Sequence, residues 1–74
     1  MSEKEIKKIV KKFERIMGPV ASRVAEETAE RMKILKGNKI SPANAEEEKK
    51  FLKMLSDEYS KLIGRKVTDT IIKL

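Results

Sequence analysis

Apolar residues recur along this chain at steps of three and four, the spacing that gathers them on one face of an α-helix. In the first segment Ile6, Ile9, Val10, Phe13, Ile16 and Met17 form such a stripe. Ser2, followed three residues later by Glu5, fits a capping box at its start, and the spacing predicts a helix over 3–17. Gly18-Pro19 then ends it: a proline disfavours the α conformation in the residue before it, while its own fixed φ suits the first turn of a new helix. A second helix is predicted over 19–35. Its inward face reads Val20, Val24, Ala25, Thr28, Met32 and Leu35, with Ala21 and Ala29 beside it. Ala21, Ala25 and Ala29 are spaced by four, so a neighbouring helix can approach closely along that ridge.

Gly37-Asn38 predicts a left-handed cap closing the second helix. In the connection 36–41, Ile40 is expected to pin the loop to the core. The third helix has two candidate starts, Ser41 with Pro42 in the first turn or Asn44 with Glu47 three residues on. It is predicted over about 42–63. Glu46, Glu47 and Glu48 favour the positive end of its dipole, and Phe51, Leu52, Leu55, Tyr59, Leu62 and Ile63 form its buried stripe before Gly64 stops it. The tail holds Val67, Thr68, Thr70, Ile71 and Ile72, β-branched residues that suit a strand. A lone strand is not stable, and Thr68 can cap a short helix. The tail therefore reads as a fourth helix over 69–74. The expectation is an all-α fold, a compact three- to four-helix domain spanning 1–74 as a single unit.

Length narrows what can hold such a domain together. A chain of this size buries only about 60% of the surface its unfolded form exposes, so a staple is usual. With 74 residues, no cysteine and no histidine, disulfides and the commonest metal ligands are excluded. Regular helix packing and self-association remain, and both are expected. The tail supplies an interface: Ile71, Ile72 and Leu74 need cover from the core or from a second copy, and with the ridge Ala21, Ala25 and Ala29 they predict a homodimer contact.

Charge then sets the outer surface. Lys, Arg, Asp and Glu make up 41% of the chain, Gln is absent, and Asn occurs only at Asn38 and Asn44. Lys and Glu enrichment with few thermolabile residues is the pattern of a hyperthermophile's intracellular protein. No apolar run approaches the roughly 20 residues of a bilayer span, and the charged start is unlike a signal peptide. The expected location is cytoplasmic, with no membrane partner.

The candidate chemistry is sparse. Serines, threonines and lysines have no histidine to activate them, and the three glycines stand singly at predicted helix ends rather than in a phosphate cradle. The residues predict no catalytic site, no cofactor and no metal, and hence no enzyme. The sharpest feature is a basic stripe on the first helix, Lys4, Lys8, Lys11, Lys12 and Arg15, with Lys7 at its edge. Through Met17 there are six cations against Glu3, Glu5 and Glu14, half of the chain's net +6. Lys49, Lys50, Lys53, Arg65 and Lys66 add a second positive group. Such a stripe is either a solvated face or a surface for an anionic partner. With lysine dominating and Tyr59 the single polar aromatic, base reading and base stacking both lack equipment. Nucleic-acid binding through Lys4, Lys8, Lys11, Lys12, Arg15, Arg65 and Lys66 would thus be nonspecific and salt-dependent.

Phe13, Ile16-Met17-Gly18-Pro19-Val20-Ala21, Val24-Ala25 and then Phe51-Leu52 with Leu55 resemble a small helical domain appended to prokaryotic serine/threonine kinases and response regulators. There a corner of the type apolar-Gly-Pro-apolar-Ala opens a helix, and an Arg/Lys-x-x-Phe-Leu segment closes the domain. The resemblance covers Phe13 to Leu55, with 36–41 and 64–74 outside the pattern and no kinase or receiver domain present. It implies a noncatalytic protein-interaction or oligomerisation module in a signalling or regulatory assembly. Gly64-Arg65-Lys66-Val67-Thr68 followed by Asp69 is similar to the loop after the long central helix of archaeal histones, which would imply nucleic-acid binding. Gly37 interrupts where that long helix would run.

Overall fold

The first apolar stripe does form one helix. In a computed structural model, which describes residues 3–72, α1 spans Glu3–Met17 and ends where Gly18 turns to a φ of +74°. The proposed Ser2 cap lies outside the described residues. Pro19 sits at the N-cap of α2 (Val20–Arg31) with α-region dihedrals and no side-chain cap. α1 and α2 pack along one another as a helical hairpin.

The end of α2 differs from the reading over 19–35. The helix stops at Arg31, and Lys33 takes a left-handed φ of 61°. The Lys33 amide donates to the Glu30 carbonyl at 3.0 Å and the Ile34 amide to the Ala29 carbonyl at 3.0 Å. This pair is the Schellman pattern, and it turns Ile34 into the core at 3% exposure. The residues assigned to the last helical turn instead form β1 (Leu35–Lys36), which pairs antiparallel with β2 (Lys39–Ile40) in the register Leu35↔Ile40 and Lys36↔Lys39. Gly37-Asn38 is the two-residue hairpin loop, not the helix cap, and Gly at its first position supplies the positive φ such loops need. β1 lies against α2 and β2 against α1.

α3 (Ala45–Ile63) begins after Asn44, so of the two candidate starts the capping box prevails and helix formation does not reach back to Pro42. Asn44 Oδ1 accepts from the Glu47 amide at 2.9 Å, and Glu47 Oε1 accepts from the Ala43 amide at 2.7 Å. Gly64 ends α3 at φ 94°, ψ 153°, a region open essentially to glycine alone. α4 (Arg65–Ile71) follows at once, earlier than the reading over 69–74; positions 73–74 lie outside the described residues. Thr68 does not cap this helix. It lies within it, fully buried, and its hydroxyl donates to the Gly64 carbonyl at 2.8 Å. The segment likened to a histone loop is therefore helical.

The core joins all four helices. Phe13, Phe51, Leu55 and Tyr59 are fully buried, with Ile6, Ile34 and Ile72 nearly so. Ala21, Ala25 and Ala29 line α2 where it meets its neighbours, at 1% exposure or less. Their small side chains admit the Phe13 and Tyr59 rings, whose centroids lie 4.0 Å apart. Tyr59 Oη donates to the Ala21 carbonyl at 2.7 Å, which fixes the C-terminal half of α3 beside the N-terminus of α2. Three residues assigned to apolar faces, Ile16, Val20 and Leu62, reach past this core, as does Val67 of the tail; the four are 41–55% exposed. Ile16 and Val20 flank the 18–19 corner, and Leu62 and Val67 flank Gly64.

Candidate functional site

At 100° per residue, the cations of α1 divide into two groups. Lys4, Lys7 and Lys11 are spaced by three and four on the side that turns toward α2 and the hairpin. Lys8, Lys12 and Arg15 follow on the outward side, all exposed. The first group borders a groove of about 420 Å³ between α1, α2 and the hairpin. Its floor is aliphatic: Ile6, Val10, Ala25 and Ile40. Lys39, carried in by β2, joins the three α1 lysines on the rim, and Asn38 lies beside it. Glu14, Ser22 and Glu26 also line it, and Ser22 Oγ donates to Glu14 Oε2 at 2.5 Å.

None of the α1 cations from Lys4 to Arg15 joins an ion pair among the described residues, and neither does Lys39. Elsewhere some charges are matched and others, such as Lys33, Lys36, Lys49, Lys50 and Lys53, join no ion pair among the described residues. Arg65 lies 3.0 Å from Asp57 and 3.9 Å from Asp69, and Glu58 takes Lys61 at 3.2 Å. On α1 most charged i, i+4 neighbours in the sequence are alike, Lys4 with Lys8, Lys7 with Lys11, Lys8 with Lys12 and Lys11 with Arg15, against the opposite pair Glu3 with Lys7. Each like pair destabilises a helix by about 0.2–0.5 kcal/mol.

The residues read from sequence are redistributed accordingly. Lys4 and Lys11 reach the groove, while Lys8, Lys12 and Arg15 stand on the outer side of α1. Arg65 is engaged by Asp57 and Asp69 and does not extend the free basic face, although exposed Lys66 makes no ion pair. Of the residues expected at a dimer contact, Ala21, Ala25 and Ala29 are buried within their own chain, at 1% exposure or less. Ile72 is likewise buried at 4% and Ile71 half-buried, both packed on the core, and Leu74 lies outside the described residues. Lys7 and Lys39 are the groove cations absent from the sequence-derived set. Lys7 was legible at the edge of the stripe, and a Gly-Asn pair between Lys36 and Lys39 was a hairpin signal that would have turned Lys39 toward α1.

Among the described residues no three carboxylates gather closely enough to hold a metal ion, and no helix is long and apolar enough to cross a membrane. Burial, and secondarily the nearby Glu14 carboxylate, pushes the Tyr59 phenol well above its ordinary range. Its hydroxyl is committed to the Ala21 carbonyl, a packing role. Comparison with protein-family models, with curated proteins and with solved structures returns no match for this chain.

Proposed function

We propose that this chain is a noncatalytic protein-interaction module that self-associates, in keeping with its resemblance to the helical domain of signalling proteins. The observation that carries the reading is the set of Ile16, Val20, Leu62 and Val67, large apolar side chains left 41–55% exposed on a chain that is otherwise 41% charged. Exposed apolar surface of this kind marks interaction sites. Covering each half-exposed side chain contributes about 1 kcal/mol. In a two-fold contact the set counts twice, a gross gain of roughly 8 kcal/mol against an association cost of at least about 4 kcal/mol. The dimer is therefore weak. Sedimentation equilibrium at physiological salt tests it: the wild type self-associates at high micromolar concentration, and Leu62→Lys shifts it to monomer. A wild-type chain that stays monomeric there refutes the reading.

One observation favours nucleic acid as a second reading: Lys8, Lys12 and Arg15 present an unpaired outward face. The expected binding to duplex DNA is nonspecific and steeply salt-dependent. Absence of binding in low salt ends this reading.

A further inference from the structure

We infer that the groove between α1, α2 and the hairpin docks an acidic segment of a partner protein, one whose carboxylates flank one or two aliphatic side chains. Charge complementarity selects the occupant. Lys4, Lys7, Lys11 and Lys39 come from two elements and converge on one rim without an ion pair of their own. The floor beneath them is aliphatic, and Val10 and Ile40 remain half-buried rather than covered. A carboxylate-only ligand leaves that floor wet, and an apolar ligand leaves the lysines unanswered. A segment carrying both satisfies the two together. Glu14 gives the groove a direction, since it lies about three helical turns along α1 from Lys4 and repels acidic residues there.

A nucleic-acid backbone fits these features less well. The rim has ammonium groups and no guanidinium for bidentate phosphate contacts. The floor has no aromatic ring on which a base could stack. The inference is independent of self-association, because the groove and the exposed apolar residues Ile16, Val20, Leu62 and Val67 have no member in common.

The test uses the full chain and fluorescence anisotropy with three labelled probes: a short Asp/Glu peptide bearing two leucines, the same peptide with serine in place of leucine, and a duplex DNA. Two double variants carry the same change in net charge, Lys7→Glu with Lys11→Glu inside the groove and Lys8→Glu with Lys12→Glu outside it. Circular dichroism checks that both remain helical. The leucine peptide is expected to bind at least about tenfold more tightly than its serine counterpart. The inner variant loses about tenfold in affinity and the outer variant less than about threefold, because only the inner charges contact the ligand. Amide shifts on titration fall on Val10, Lys11, Lys39 and Ile40. The inference is overturned by equal affinity for the two peptides, by equal loss in the two variants, by tighter binding of DNA, or by no peptide binding at all. A Leu62→Lys chain that is monomeric and still binds the peptide separates this outcome from that of the dimer.

Discussion

Tyr59→Phe removes one oxygen from the centre of the fold and little else. The ring is fully buried against Phe13 at a centroid distance of 4.0 Å, and phenylalanine keeps that contact. What is lost is the 2.7 Å bond from Tyr59 Oη to the Ala21 carbonyl. That carbonyl also accepts the amide four residues on in α2, so the variant leaves no orphaned donor and no wholly unpaired acceptor. The cost should then be the net worth of one buried hydrogen bond, about 1 kcal/mol. In a domain of this size that lowers Tm by about 4–8 °C.

The same residue gives the wild type a pH dependence that the variant lacks. Burial first, and Glu14 second, hold the Tyr59 phenol above its ordinary value. The folded chain thus keeps the phenolic proton at pH values where the unfolded chain, titrating near about 10, has released it. Its contribution to stability is complete below that pH and declines above it, by up to about 1.4 kcal/mol per pH unit. By pH ~11 the wild type has lost about 1.4 kcal/mol that Tyr59→Phe never had, so the two stabilities converge and cross. Lysine titration is common to both chains and cancels in the difference. Urea unfolding followed by circular dichroism between neutral pH and pH ~11 reads this directly. A wild-type-minus-variant difference that stays constant across the range would mean that the phenol is neither buried nor bonded as described, and the account of the core would fail.

Other predictions probe the chain reversals, each by chemical denaturation. Gly64→Ala should destabilise by about 1–3 kcal/mol, because φ 94° with ψ 153° is closed to a residue with a Cβ. Lys33→Gly should do the opposite and stabilise by about 0.5–1 kcal/mol, relieving a left-handed lysine at the end of α2. Asn44→Ala should cost about 1 kcal/mol by removing the acceptor for the Glu47 amide; an unchanged midpoint would show that α3 does not depend on its box.

The sequence pattern carried most of this architecture where periodicity and terminators agreed. α1 occupies the positions read for it, α3 stops at Gly64, and Phe13, Phe51, Leu55 and Tyr59 are the buried centre. The errors share a physical origin. Met32 and Leu35 continue the helical period past Arg31 by coincidence, and Leu35 packs on the core from a strand as it would have from a helix. The residue that ends α2 is Lys33 in a conformation lysine seldom adopts, so no local signal marked the stop. Thr68 read as a cap because its hydroxyl bonds locally, and it does so, but backward to Gly64 from within α4. Ile16, Val20 and Leu62 read as core because periodicity assigns a residue to a face and says nothing of whether a neighbour reaches that far along the helix. The groove was half legible for the same reason. Lysines on one helix can be read from spacing, whereas Lys39 enters only through a tertiary contact.

The unpaired charges of α1 link stability and binding with opposite signs. Raising the ionic strength from about 0.01 M to about 0.15 M shortens the Debye length from about 30 Å to about 8 Å, which screens repulsion along a 15-residue helix carrying six cations. The exposed pairs of Arg65 with Asp57 and Asp69 weaken at the same time, but such pairs contribute little to begin with. The fold should therefore gain about 0.5–1 kcal/mol on adding salt, while docking of the acidic peptide loses affinity over the same range. Lys8→Glu separates the terms. It converts the like pairs with Lys4 and Lys12 into attractive ones and should stabilise the chain by about 1 kcal/mol in low salt, with a smaller salt response. It lies outside the groove, so peptide affinity should change little. If the wild type instead loses stability as salt is added, attraction rather than repulsion governs its surface. The lysines of α1 would then be held by partners within the chain, and the groove would have no unanswered charge to offer a ligand.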